Sequence, residues 1–141
     1  LTRFVLDNSI CMRWLFGDGD AQSLRYARNV LSLFDRADTQ AIVPSVWLLE
    51  VANVIARAEA RGVLLESRST EFLGALRDMA IDVDADTSEH AWADTLGLAR
   101  RHSLTAYDAA YLELALREGV PLATRDEALR SAAERAGVPA V

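Results

Sequence analysis

Four carboxylates fall at comparable places along this chain and carry its most pointed chemistry: Asp7, Glu50, Asp108 and Asp126. Asp7 closes the apolar run Phe4-Val5-Leu6, and Glu50 stands between Val46-Trp47-Leu48-Leu49 and Val51-Ala52. Asp108 lies inside Leu104-Thr105-Ala106-Tyr107-Asp108-Ala109-Ala110-Tyr111, and Asp126 follows Leu122-Ala123-Thr124-Arg125. An ionised carboxylate among apolar residues is costly unless neutralised, and several brought together repel one another. A divalent cation would relieve both costs. Carboxylates and water are hard oxygen donors suited to Mg²⁺ or Mn²⁺, whereas a closed zinc site would call for Cys or His. Neither His90 nor His102 has a partner at metal-ligand spacing, and both read as surface or helix-end residues.

The pattern of elements decides whether these acids can meet. Short apolar runs over 3–7, 41–43, 81–83, 120–124 and 138–141 read as strands. Between them, amphipathic spacing predicts helices over about 10–16, 21–37, 46–61, 66–79, 89–102, 105–118 and 127–136. In the second helix Leu24, Ala27, Leu31 and Phe34 form the expected inward stripe. Asn8-Ser9, Ser45, Thr87 or Ser88, and Thr105 supply capping chemistry, while Gly62, Gly119 and Gly137 supply stops. Alternating strands and helices imply a short, mostly parallel central sheet covered on both faces. Helix N-termini then gather at the carboxyl edge of the strands, where ligands bind in such sheets. Asp7 and Asp126 follow strands, and Glu50 and Asp108 lie near helix starts, so all four are expected at that edge.

Each acid taken singly has an ordinary structural explanation. Asp7 would turn the chain out of a strand, and Asp126 would cap its helix. Asp108 stands three residues after Thr105, at a capping-box position, and heads a core-like stripe of Tyr111, Leu112 and Ala115. Glu50 shares a face with Asn53 and Arg57. Arrival of all four at one edge is what favours a site. Other chemistries have thinner support: Gly17-Asp18-Gly19 lacks a phosphate-loop pattern and a Lys, and Ser9 has no evident His partner. Trp14, Trp47 and Trp92 read as core or interface residues rather than base-stacking platforms.

Composition sets the outer limits. A chain of 141 residues, 51% apolar, suits one compact domain. The net charge of −6 argues at first against a nucleic-acid partner, but setting the four acids aside brings the balance near neutrality. Every basic residue other than histidine is Arg, which binds phosphate bidentately as Lys does not. Cys11 is the lone cysteine, so no internal disulfide can form and a reducing cytoplasm is the expected compartment. No apolar stretch approaches the roughly 20 residues that span a bilayer. The sequence opens on Leu1 rather than Met, so further residues are expected to precede it in the natural protein.

Val5-Leu6-Asp7-Asn8-Ser9, then Pro44-Ser45-Val46-Trp47-Leu48-Leu49-Glu50-Val51-Ala52-Asn53, then the Tyr107-Asp108-Ala109-Ala110-Tyr111 segment and finally Ala123-Thr124-Arg125-Asp126 come in a familiar order. Together they resemble the PIN-domain ribonucleases, and among them the VapC toxins of bacterial toxin–antitoxin pairs. The resemblance spans the chain and implies a single three-layer α/β/α nuclease domain over 1–141. It further implies Mg²⁺- or Mn²⁺-dependent cleavage of RNA, a homodimer, and inhibition by a cognate antitoxin protein. The family's acidic quartet falls on Asp7, Glu50, Asp108 and Asp126, and its neighbouring hydroxyls on Ser9 and Thr124; Asn8 replaces a common Thr. One or two ions would activate water for in-line attack on a phosphate. Asp7 is then the central ligand, the other three acids bind directly or through water, Ser9 and Thr124 support the ligands or touch phosphate, and Arg125 meets substrate or solvent. The helix around Trp14-Leu15-Phe16 and the one around Trp47 are the expected walls of an inhibitor groove. The alternatives are a housekeeping nuclease of the same fold and, from another class, a phosphoacceptor signalling domain. The latter needs a Lys, which this chain lacks, and a dehalogenase-type phosphatase needs an Asp where Ser9 stands.

Overall fold

Phe4, Val5 and Leu6 are almost wholly buried, and they form the interior of a parallel sheet in the computed structural model, which describes residues 2–141. Leu1, at which the expected domain opens, lies outside the described residues. The strands are β1 (Thr2–Leu6), β2 (Thr39–Val43), β3 (Ile81–Val83) and β4 (Leu122–Ala123), in the spatial order β3-β2-β1-β4. All pairings are parallel, as the continuous apolar runs predict for strands covered on both faces. The helices are α1 (Asn8–Phe16), α2 (Ala21–Leu33), α3 (Val46–Ala60), α4 (Glu66–Asp78), α5 (Thr87–His90), α6 (Leu96–His102), α7 (Ala106–Glu118) and α8 (Glu127–Arg135). Burying each large core side chain contributes roughly 1.5–3 kcal/mol. Leu6, Ile10, Tyr111, Leu112 and Leu129 join strands and helices from both layers in one core.

Register does the positioning. Val5 pairs with Leu122 and Leu6 with Ala123, and the Asp7 amide donates to the Ala123 carbonyl at 3.0 Å. The next residues of the two strands, Asp7 and Thr124, therefore leave the sheet side by side.

Several sequence expectations shift locally. Helix α2 ends at Leu33 rather than 37, and its buried stripe is Ser23, Ala27 and Val30, with Leu31 exposed. Phe34 turns out of the helix to pack edge-on against Phe4 and Trp14, at 5.9 and 6.2 Å between ring centres. The single helix predicted over 89–102 is interrupted by a π-helical turn, Ala91–Thr95, between α5 and α6. The last predicted strand reduces to one parallel bridge between Ala140 and Leu122. Ser45 makes no side-chain cap; its amide instead donates to the Thr87 hydroxyl at 3.0 Å.

That contact belongs to a buried ionic cluster. Arg117 of α7 donates to both oxygens of Asp84, at 3.1 and 2.7 Å, and its Nε donates to Glu113 at 3.0 Å. Thr87 donates to Asp84 at 2.8 Å, so α7, the end of β3, α5 and the start of α3 are tied together. Both acids are buried, and Arg117 holds the Asp84 carboxyl below the ordinary carboxylate range. A carboxyl depressed in this way stabilises the fold above its unfolded value and loses that contribution as pH falls through the folded one. Arg117→Met leaves Asp84 without a counter-charge and Glu113 with only His90 at 3.9 Å, and is expected to cost about 3 kcal/mol at pH 7. The difference between wild type and variant should shrink as both are unfolded by urea at progressively lower pH toward 3.

Candidate active site

The site grows from the ends of β1 and β4. Asp7 is 4% exposed, and its Oδ2 accepts hydrogen bonds from the Thr124 hydroxyl at 2.6 Å and the Ser9 hydroxyl at 2.7 Å. Ser9 sits two residues later because β1 passes directly into α1, and its hydroxyl in turn accepts the Arg125 amide at 3.0 Å. Thr124 accepts the Asp126 amide at 3.0 Å. Two hydroxyls thus lock the aspartate to the loop on the far side of the strand pair. Asp126 caps α8, with its Oδ2 accepting the Leu129 amide at 2.8 Å. The capping explanation of Asp126 therefore holds, and it does not remove this acid from the cluster.

Glu50 lies five residues into α3, and its Oε1 accepts the Tyr111 hydroxyl at 2.5 Å. Tyr111 is fully buried on α7, one turn after Asp108. Reading Tyr111 only as core missed this clamp; the signal was a phenol one helical turn beyond an acid, since a buried phenol usually finds a hydrogen-bond partner. Asp108 is half-buried in the first turn of α7, whose N-cap Thr105 accepts the Asp108 amide at 3.1 Å. The Tyr111, Leu112 and Ala115 stripe is buried as expected. The apolar neighbours of Glu50 are less so, since Leu48 and Leu49 are exposed.

The electrostatics show mutual proximity. Burial, and then the charges of Asp126 and Asp7, push Asp108 up to about 6. Burial also raises Glu50, against the Tyr111 hydrogen bond, with Asp7 and Asp108 adding to the rise. Asp7 is raised by burial and by Asp126, against the lowering effect of its two hydroxyl donors. Two of the acids share one further feature: among the described residues, Glu50 and Asp126 each tie one oxygen to a protein donor and leave the other without one.

Among the described residues, no three His, Cys, Asp or Glu side chains close into a ligand cage. Unshielded repulsion opposes such closure. The donor set nonetheless fits a hard, hydrated cation, because Mg²⁺ keeps several waters and takes only one or two carboxylates directly. No histidine belongs to the cluster: His90 lies 3.7 Å from Asp94 of the following π-helical turn, and His102 lies 3.5 Å from Arg135. Cys11, behind Asp7, is buried, and its thiol is pushed up to about 12, which keeps it neutral. Arg125 leans away from the acids, over the Tyr26 ring at 5.5 Å, with Nε donating to Ser23 at 3.2 Å.

Comparison with known proteins follows the same lines. The PIN domain family profile matches residues 4–135. The curated protein Ribonuclease VapC3 of Pyrobaculum aerophilum is 34% identical over 80 residues, which cover 57% of this chain and 61% of that one. The chain thus spans about three-fifths of the length of the curated relative it matches. The crystal structure of VapBC2 from Rickettsia felis bound to a DNA fragment from their promoter has the same fold. It aligns with a TM-score of 0.64 at 13% identity, over 92% of each chain. A toxin-antitoxin complex from Klebsiella pneumoniae aligns with a TM-score of 0.55 at 19% identity, over 86% of this chain and 85% of that one.

The raised carboxyls give the metal-free protein a distinctive pH response. Between the unfolded value of Asp108, near 3.8, and its folded value of about 6, the native state holds a proton that the unfolded state has released. Stability therefore falls as pH rises through that window and stays lower above it. Asp108→Asn is expected to raise Tm in chelator at pH 7.5 by about 2–4 °C and to change it little at pH 4. Thermal melts at the two pH values check the sign.

Proposed function

The chain belongs to the PIN domain family, and from that premise we propose that it is a metal-dependent ribonuclease, the toxin of a VapBC-type pair. The observation that carries this reading is the acidic cluster itself, in which Glu50 and Asp126 each have one oxygen held and one left unengaged beside the buried Asp7 and the half-buried Asp108. Asp7 would be the central ligand of a Mg²⁺ or Mn²⁺ ion, with Glu50, Asp108 and Asp126 binding it directly or through water. The bound ion would supply an activated water and charge stabilisation for in-line attack on an RNA phosphate. The chain's own residues do the rest. Ser9 and Thr124 fix the Asp7 rotamer through Oδ2, Tyr111 fixes Glu50 through Oε1, and the Leu129 amide fixes Asp126. Asp108 holds its proton more tightly than a solvated aspartate in the metal-free protein, and a bound cation would lower that affinity and keep it ionised as a ligand.

An antitoxin partner is part of the same reading. Trp47, Leu48, Val51, Ile55, Leu73 and Ile81 line an apolar groove of about 610 Å³ between α3, α4 and the β3 edge. Phe16 lines a smaller one between α1 and α3, whereas Trp14 turns inward and donates to the Ala27 carbonyl at 2.8 Å. An apolar segment covering either groove while a basic side chain enters the acids would inhibit the enzyme and replace metal charge. A homodimer also belongs here: Trp92 on the π-helical turn is 94% exposed and is the apolar surface for a second copy to cover. Among the described residues, no helix is long and apolar enough to cross a membrane.

Purified protein is expected to cleave RNA with Mg²⁺ or Mn²⁺ and to stop on chelation. Asp7→Asn should reduce cleavage at least about 100-fold while holding or raising Tm, because it removes a buried charge whose hydroxyl donors an amide oxygen still accepts. Cleavage that persists in chelator would refute the mechanism. For the partner, Leu48→Asp should leave RNA cleavage intact yet abolish co-elution with the protein encoded by the adjacent upstream reading frame. An unchanged complex would place the partner elsewhere.

A further inference from the structure

The outer side of β4 carries a second cavity, of about 660 Å³, that begins where the acids end. That volume lies within the roughly 300–1,000 Å³ typical of small-molecule sites. Thr124, whose hydroxyl holds Asp7, also lines this cleft, together with Arg125, Tyr26 of α2 and Arg130 of α8. Its apolar floor is formed by Leu122, Ala133 and Val138.

Two guanidinium groups face this space with capacity to spare. Arg125 is held in one posture by the Tyr26 ring and the buried Ser23 hydroxyl, which engages only Nε. Among the described residues, its two terminal nitrogens have no protein acceptor, and the Arg130 side chain has neither hydrogen bond nor ion pair. Glu134 is the one acid on the wall. Asp20 offsets part of the Arg125 charge from outside the lining, so the cleft sets two only partly neutralised arginines beside an aromatic ring in a protein of net charge −6. Guanidinium groups bind phosphate bidentately, and guanidinium planes and phenol rings stack on bases.

We propose that this cleft is a nucleotide subsite, holding one nucleotide of a single-stranded RNA that runs past the acidic cluster. Its phosphate lies on Arg125 and Arg130 and its base against the Tyr26–Arg125 pair. The assignment rests on the ribonuclease reading and adds to it a second contact region on the opposite side of Thr124 from Glu50 and Asp108.

The test separates binding from cleavage. The full chain, kept metal-free with chelator, is titrated with AMP, CMP and inorganic phosphate while backbone amide resonances are followed. Either nucleotide is expected to shift the amides of Tyr26, Arg125 and Arg130. Arg130→Gln and Tyr26→Leu should each weaken nucleotide binding about tenfold, while Arg68→Gln on α4 should not. In cleavage of a short single-stranded RNA, Arg130→Gln should raise KM more than it lowers kcat. It should also reduce the slope of log affinity against log salt by about 0.7. Cleavage with no nucleotide-induced shift in the cleft, or equal affinity in both variants, overturns the subsite alone. Phosphate binding as tightly as the nucleotides overturns the role of Tyr26. Binding in the cleft with no RNA cleavage under any metal supports the subsite and overturns the ribonuclease reading.

Discussion

Burying the carboxylate of Asp7 at the end of the central strand is the constraint around which the rest of the site is arranged. An isolated buried carboxylate would be neutralised or forced out. Here Ser9 and Thr124 reach it from two different segments, and Thr124 can do so because β1 and β4 are paired in register as far as Leu6 and Ala123. The same register fixes Asp126, whose amide leans on the Thr124 hydroxyl. The hydroxyl donors offset only part of the burial cost, so Asp7 remains harder to ionise than a solvated aspartate. A cation at this position would bring the missing stabilisation, and this links the strain in the metal-free cluster to its proposed activity.

Glu50 and Asp108 come from a different structural source. They stand on α3 and α7, and no strand register sets the distance between those helices. The phenol of Tyr111 bridges them locally. The Arg117 cluster fixes them at longer range, since it joins α7 to the segment that opens α3. Such a buried ion cluster gains little net stability over an apolar replacement of the same shape. Its value in this fold lies in specifying one docking of α7 against β3 and α3.

Much of this was legible in the sequence because it depends on chain direction and period. Apolar runs without alternation gave parallel strands, and the convergence of helix starts and strand ends at one edge follows from that topology. What escaped the reading depends on packing between distant segments. Helix α2 buries Ser23, Ala27 and Val30 and stops at Leu33, while Phe34 packs on Phe4 and Trp14 just beyond it, contacts that periodicity cannot see. The π-helical turn inserts a residue into a helix whose composition gives no sign of it. Tyr111 looked like core, and it is core, but its hydroxyl points at Glu50. Glu113 and Arg117 are one helical turn apart and can pair within α7, but Asp84 joins them only once α7 lies against β3. Asp126 shows that a capping role and a place in the acidic cluster need not compete, because the cap engages only one of its oxygens.

The wide spacing along the chain between Asp7 and its partner has a consequence for synthesis. Thr124 follows Asp7 by 117 residues, and β4 is the last strand of the sheet to be made. Translation proceeds at about 5–20 residues per second. For several seconds the emerging polypeptide carries Asp7 with only the neighbouring Ser9 hydroxyl to orient it, and Glu50 waits likewise for its phenol. The acidic cluster is therefore not assembled in the nascent chain until nearly all of the 4–135 region has left the ribosome. A protein harmful to its own cell would, by this arrangement, be harmless throughout its manufacture, and a binding partner would have that interval in which to arrive.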